Sequence, residues 1–199
     1  MSAEIVAIVL AAGSGSRFGA ERCKLLEELD GKPLLRHAVD AALASRASRI
    51  LVVTGHERER VEAALAGVAV NLIHNAGYAE GMSSSLREGL AQAQNAEGVL
   101  VLLADMPLVA PATLDRLIAI FTETGAVAVV PTRNGRRGNP VLLGRALFER
   151  LAELRGDRGA RDLLRACAGV VEVEIGDEGV FSDVDSPDDL ASLRSLTRS

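Results

Sequence analysis

The sequence predicts a three-layer α/β/α fold with a mainly parallel sheet, on three observations. Short, nearly continuous runs of Val, Ile and Leu recur along the chain, as strands buried on both faces of a parallel sheet do. Segments with helical spacing separate them, so the β-α-β-α order implies right-handed crossovers with helices on both faces. The first run, IVLAAGSGSRFG at residues 8–19, stops abruptly in glycine, serine and arginine. A strand ends this way when its next loop is shaped around something at the carboxyl end of the sheet.

The elements follow in order. Apolar runs predict strands at residues 4–10, 49–54, 69–73, 98–103 and 126–131. Helical periodicity predicts helices over 34–44, 57–66, 80–94 and 111–124, then two more near 144–154 and 160–167, before a late strand at 170–175. The closing stretch SDVDSPDDLASLR begins a helix, with Ser186 as N-cap, Pro187 at the first helical position and Asp189 completing a capping-box-like pair. Capping accounts for those three residues and leaves Asp183 and Asp185 without a structural task.

Composition narrows the function. A chain of 199 residues that is 48% apolar suits one domain over residues 1–199 with a sizeable core. The apolar stretch at 5–12 is too short for a membrane span and lacks a basic flank, so the expected location is the cytoplasm, with no membrane partner. A net charge of −5 and an aromatic content of 3% argue against a nucleic-acid partner, which needs a broad basic face or stacking platforms. Cys23 and Cys167 lie far apart and read as reduced thiols. His37, His56 and His74 show no metal-ligand spacing and read as structural or surface residues.

The loop after the first strand matches neither familiar phosphate loop. A dinucleotide fingerprint needs G-x-G-x-x-G opening directly into a helix, whereas here the third glycine, Gly19, comes one residue late and an irregular polar segment follows. A P-loop needs a Gly-Lys-Ser/Thr string that is absent. What remains is a longer loop whose backbone N–H groups can face anionic oxygens, with Arg17 and Lys24 as cations. Its length fits a triphosphate. Lys24 and Lys32 are the only lysines in the chain, and both follow this loop.

LAAGSGSRFG, Lys24 and LLADMP at 102–107 resemble the small nucleotidyltransferases that make or modify cofactors and sugar nucleotides, above all the molybdenum cofactor cytidylyltransferases and their MobA-like NTP-transferase relatives. KLLEELDGKPLL, NAGYAEGMSSSLREGL, GRRGNPVLL, GDRGARDLL and DVDSPDDL extend the resemblance along the chain. One departure is the gap from Gly19 to Lys24, longer than in the molybdenum group and similar to isoprenoid-pathway cytidylyltransferases. Against that second group, Met82 stands where its members carry an arginine.

The resemblance implies a single nucleotidyltransferase domain of Rossmann-like fold that transfers CMP from CTP, or NMP from another NTP, to a phosphorylated small-molecule acceptor and releases pyrophosphate. Molybdopterin or its molybdenum-loaded form is the acceptor it favours; methylerythritol phosphate, a sugar phosphate or phospholactate are alternatives. A molybdoenzyme or its maturation factor is the implied protein partner, and a non-catalytic insertion chaperone is the alternative of another class.

Such a reaction brings together several anions, so it calls for charge neutralisation and alignment rather than a strong base. Arg17, Lys24 and Asp105 are the catalytic candidates. Asp105 is the expected ligand for Mg²⁺, with Mn²⁺ a substitute, and Asp183, in competition with Asp185, is the second. Nucleotide contacts are expected from Leu10, Ala11, Ala12, Gly13, Ser14 and Gly15, with the Ala12 Cβ narrowing the base pocket where guanylyl-transferring relatives carry glycine. Ser84 and Ser85 supply hydroxyls for the base or for helix capping. Arg137, Asn139, Arg158 and Arg161 are the acceptor-side candidates, since guanidinium forks suit phosphate monoesters.

Overall fold

The first strand, β1 (Ile5–Ala11), shows why the sheet sits in the middle of the molecule. Side chains alternate along a strand: Ile5, Ala7, Val9 and Ala11 enter one core, whereas Val6 and Ile8 enter another on the opposite face. Both faces must therefore be covered. In this computed structural model the described residues are 3–15, 18–19, 23–156 and 160–196; Arg17 and Arg158 lie outside them.

After β1 come the two-residue strands β2 (Glu28–Leu29) and β3 (Lys32–Pro33), which pair as a small hairpin, and helix α1 (Leu34–Leu43). Next are β4 (Arg49–Thr54), α2 (Arg58–Ala63), β5 (Asn71–His74), α3 (Met82–Gln92), β6 (Gly98–Leu103) and α4 (Pro111–Thr124). The second half holds β7 (Ala128–Arg133), β8 (Arg136–Arg137), β9 (Val141–Gly144), α5 (Phe148–Ala152), α6 (Arg161–Arg165), β10 (Val170–Glu174) and α7 (Pro187–Leu196). The main sheet runs β10-β7-β9-β6-β1-β4-β5, with β8 attached to β7.

The pairs β1/β4, β1/β6, β4/β5 and β7/β10 are parallel, as expected. The antiparallel β9, wedged between β6 and β7, was not expected. Its apolar stretch, Val141-Leu142-Leu143, is too short for periodicity to declare, and the helix predicted over 144–154 shrinks to a 3-10 turn and α5 because Gly144 belongs to the strand. The predicted strand at 69–73 starts later, at Asn71, on the sheet's open edge. Among the described residues, no helix is long and apolar enough to cross a membrane.

Chain order reverses at β1. Successive strands β4 and β5 step to one side, and β6 returns to the other. A switch of this kind splays the loops that leave the carboxyl ends of β1 and β6, opening a crevice between them. A third, smaller core of Phe18, Leu29, Leu34, Val184, Leu190 and Leu193 lies beside it, with Leu108 packed against it. It ties the glycine loop, the hairpin and α7 together.

The hairpin is fastened to α1 by charge. Asp40 accepts hydrogen bonds from Lys32 Nζ at 2.7 Å and from Arg36 Nε at 2.6 Å. Partial burial alone would raise the Asp40 carboxyl, but the bonds from Arg36 and Lys32 outweigh it and hold the group below the ordinary carboxylate value. A carboxyl lowered in the folded state stabilises above its unfolded value and loses that contribution as pH falls through the folded one. Asp40→Asn is therefore expected to lower stability near neutral pH by at most about 1 kcal/mol, since water screens a partly exposed pair. Denaturant unfolding of both proteins across the acid range should show the gap closing as pH drops.

Candidate active site

The sequence between the glycine loop and the hairpin fixes one ammonium group. Cys23 and Leu25 are buried on either side of Lys24, and the chain turns there through bonds from Leu26 N–H to the Cys23 carbonyl and from Glu27 N–H to that of Lys24. Burial raises the Cys23 thiol above its ordinary value, against smaller opposing effects of backbone bonds to Leu25 and Leu26, so the sulfur stays protonated. Gly15 bears down on the Lys24 stem. At φ +57° it occupies left-handed space, and a Cβ there would lie 2.8 Å from Lys24 Cβ.

Lys24 Nζ donates to Asp105 Oδ2 at 2.6 Å and lies 3.3 Å from Asp185 Oδ1. Asp105 leaves the carboxyl end of β6, where the Ala104 N–H still donates to the Leu10 carbonyl and so continues the sheet beside β1. Its Oδ1 is buried and has no hydrogen-bond partner among the described residues. Asp185 arrives on the segment before α7. Val184 N–H donates to the Asp105 carbonyl at 3.0 Å while the Val184 side chain fills the third core, which holds this segment beside Asp105.

Lys24 and Asp105 border a cavity of about 510 Å³ lined also by Leu10, Ala12, Gly13, Ser14 and Gly15, and by Tyr78, Gly81, Met82 and Ser85. A neighbouring cavity of about 530 Å³ shares Leu10, Met82 and Leu103 with it, so the two adjoin. The second carries Arg137, Asn139, Arg161 and Asp183 over an aliphatic floor that includes Leu86, Val101, Val130 and Leu143. Arg137 is held by Glu172, which accepts from its Nε at 2.8 Å, while Nη1 is buried with no partner among the described residues.

Most of the described residues anticipated from sequence thus line two adjoining cavities, with three differences. Asp185, rather than Asp183, is the carboxylate on Lys24; residues two apart in extended chain sit roughly 7 Å from each other, so one reaches Lys24 and the other the adjoining cavity. Ala11 is buried as the last residue of β1 and does not line the cavity. Ser84 is also turned away: its hydroxyl faces the Gly77 and Gly81 carbonyls and accepts from Asn75 Nδ2. Arg17 and Arg158 fall outside the described residues. Ser85 does line the cavity, though it too accepts from Asn75.

Sequence reasoning missed Asn75, Tyr78 and Gly55. Buried Asn75 pins the loop after β5 to α3 through both serines and the Gly77 N–H. Tyr78, the only tyrosine in the chain, is thereby held on the cavity wall. Its position in a loop at the carboxyl end of a parallel strand was the available signal. Gly55 permits this packing, since a Cβ there would lie 2.6 Å from Tyr78 Cβ and 2.8 Å from Ala12 Cβ.

Among the described residues, no group of three or more His, Cys, Asp and Glu side chains could hold a metal. A divalent site would have to be built from the Asp105 carboxylate with one neighbour. A hard, hydrated divalent ion such as Mg²⁺ would accept such a sparse set, and Asp105 Oδ1, which has no partner among the described residues, is an oxygen of the kind it takes.

Gly55→Ala is expected to force Tyr78 and Ala12 apart and to destabilise the protein by about 1–3 kcal/mol, the usual range for an overpacked core. Because the chain has one Tyr and no Trp, its emission reports on this wall directly. A folded variant with unchanged emission and an unchanged melting temperature would contradict the packing described.

Comparison with known proteins gives this geometry a lineage. The chain is 33% identical over 178 residues to the bifunctional protein GlmU of Sorangium cellulosum, a match covering 86% of this chain and 37% of that protein. It thus spans little more than a third of that curated relative. Rv0371c from Mycobacterium tuberculosis H37Rv, also solved in complex with manganese, superposes with a TM-score of 0.85 at 30% identity over 98% of this chain and 99% of its own. A nucleotidyl transferase from Methanothermobacter thermautotroptrophicus, Mth528, gives a TM-score of 0.85 at 28% identity over 98% and 99%. Residues 7–172 match the MobA-like NTP transferase domain, and with the crevice at its sheet reversal the chain belongs to that family.

Proposed function

We propose that the protein is a nucleotidyltransferase that moves CMP from CTP to a phosphorylated cofactor, with molybdopterin or its molybdenum-loaded form as the preferred acceptor. One observation carries the reading: Lys24 and Asp105, 81 positions apart, meet at 2.6 Å on the wall of the cavity bounded by Gly13, Ser14 and Gly15. The second cavity, with Arg137, Asn139 and Arg161 on its wall, would receive the acceptor.

In the proposed reaction an acceptor phosphate oxygen attacks the α-phosphorus. A new O–P bond forms as the bond to the β-phosphate oxygen breaks, and pyrophosphate leaves. The nucleophile is already an anion near neutral pH, so no strong base is required. Repulsion among the phosphates is the obstacle. Lys24 would turn its ammonium to the α-phosphate and oppose the charge that grows there, while the amides of the glycine loop and Arg17 hold the pyrophosphate portion. Arg137 and Arg161 would hold the acceptor phosphate for in-line approach. Asp105, with Asp185 or Asp183, would hold Mg²⁺ or Mn²⁺, which supplies further neutralisation of the phosphates when bound. The manganese complex of Rv0371c supports a divalent ion in this fold.

Ala12 supports a pyrimidine. It is buried against Gly55 on the cavity wall, where a methyl group would reduce the room for a base.

Pyrophosphate release measured with CTP, GTP, UTP and ATP against each candidate acceptor tests the proposal. CTP with molybdopterin should be fastest. Turnover confined to methylerythritol phosphate, a sugar phosphate or phospholactate would reassign the acceptor. Nucleotide binding seen in Tyr78 emission with no turnover on any acceptor would indicate an insertion chaperone.

Lys24→Ala is expected to lower kcat by roughly a hundredfold or more, the scale of a lost oxyanion donor. A steady-state rate within threefold of wild type would remove Lys24 from the mechanism. Ala12→Gly should shift the CTP-to-GTP ratio of kcat/KM toward GTP by roughly tenfold, about the discrimination available from one methyl group; an unchanged ratio would mean that Ala12 does not set base size.

A further inference from the structure

Lys24 has a second task before any nucleotide arrives. We propose that in the nucleotide-free protein its ammonium is a built-in counter-ion that holds the carboxylate site closed to divalent cations, so that metal and nucleotide must enter together. The inference rests on the metal role proposed for Asp105.

Three observations support it. The ammonium is close to both carboxylates, 2.6 Å from Asp105 Oδ2 and 3.3 Å from Asp185 Oδ1. The Lys24 and Asp105 side chains are only 12% and 20% exposed, so water screens their attraction weakly. Asp105 Oδ1, buried and without a partner among the described residues, belongs to the same carboxylate that Lys24 already occupies through Oδ2. A divalent ion bound to Oδ1 would therefore lie a few ångströms from a positive nitrogen. The two cations would oppose each other where burial weakens screening by water.

The opposition is relieved when an anion draws the ammonium away. Buried Cys23 and Leu25 and the close approach of Gly15 fix the backbone and the first carbon of Lys24, but the head sits on a flexible four-carbon stem. Gly13, Ser14 and Gly15 line the same cavity, so a triphosphate lying against them is the anion within reach. Once the ammonium turns to phosphate, both Asp105 oxygens become available. By linkage, the factor by which nucleotide raises metal affinity equals the factor by which metal raises nucleotide affinity. A lysine that only stabilised the fold would lose metal affinity on removal. A counter-ion should do the reverse.

The test is Mn²⁺ binding to the full chain near neutral pH, read from the paramagnetic resonance signal of free Mn²⁺, without nucleotide and with CTP but no acceptor. Lys24→Gln and Lys24→Met should bind Mn²⁺ about tenfold or more tightly than wild type when nucleotide is absent, because a neighbouring positive charge has gone. Lys24→Arg should stay as weak as wild type. Equal or weaker binding by the folded neutral variants overturns the proposal. If neither neutral variant folds, wild type suffices: after correction for Mn²⁺–CTP complexes in solution, affinity that is the same with and without CTP also overturns it. Asp105→Asn separates this idea from the metal role beneath it. Should that variant keep full Mn²⁺ binding in the presence of CTP, the metal role of Asp105 fails; should it lose binding while Lys24→Gln gains nothing, only the counter-ion fails.

Discussion

One ammonium between two carboxylates is the interaction on which the rest of the site depends. The three groups come from the stretch after the first loop, from the end of β6 and from the segment before α7, so that Lys24 lies 81 residues from Asp105 and 161 from Asp185. No local propensity brings such groups together. Each would be expensive to bury alone, and partial burial is tolerable because the charges compensate one another. A pair this close is also easily exchanged. Anything that offers the ammonium a better anion, or the carboxylates a better cation, can rearrange it without unfolding the scaffold, which is the property a phosphate-handling site requires.

The scaffold does two separate jobs. Reversal of strand order at β1 gives the crevice and delivers Asp105 and the glycine loop to its mouth. The small core of Phe18, Leu29, Leu34, Val184, Leu190 and Leu193 then sets the remaining parts at their distances. Val184 is the link: its side chain is in that core, its N–H is on the Asp105 carbonyl, and of the carboxylates on either side of it Asp185 meets Lys24 while Asp183 lines the second cavity. A helix at the end of the chain thereby contributes to a site at the centre of the sheet. Arg194 strengthens that attachment by donating to the Glu28 carbonyl on the hairpin.

How much of this was legible depended on whether a residue's task was local or relational. The parallel strands were readable because residues such as Val6 to Val9 must be apolar on both faces, a demand visible in the residues themselves. Ser186 and Asp189 were readable for the same reason: their reciprocal bonds, Asp189 N–H to Ser186 Oγ and Ser186 N–H to Asp189 Oδ2, span three positions. Strand β9 was not, since four residues carry too little periodicity and an antiparallel insertion depends on β6 and β7 on both sides. Which of Asp183 and Asp185 meets Lys24 was equally out of reach. Both flank Val184 symmetrically in sequence, and only the tertiary position of Lys24 distinguishes them. Ser84 shows the converse error, in which a residue of suitable chemistry is already committed, here to Asn75 and two carbonyls.

The two cavities meet at Leu10, Met82 and Leu103, and the character of that junction bears on the proposed chemistry. All three side chains are apolar, whereas Lys24 and Asp105 line only the first cavity and Arg137 and Arg161 only the second. Apolar side chains at a meeting point between charged groups lower the local dielectric, so each charge acts more strongly on an anion there than it would in water. Arg137 is suited to this because Glu172 holds its Nε while Nη1 remains unpartnered among the described residues, giving a donor already set in direction. Its orientation is established before a ligand binds, which reduces the ordering required on binding. On the proposed reaction, the acceptor phosphate would be held against a rigid fork while the nucleotide meets the mobile ammonium of Lys24. That division, one cation fixed and one free to turn, lets the approach be aligned on the acceptor side and the changing charge be followed on the nucleotide side.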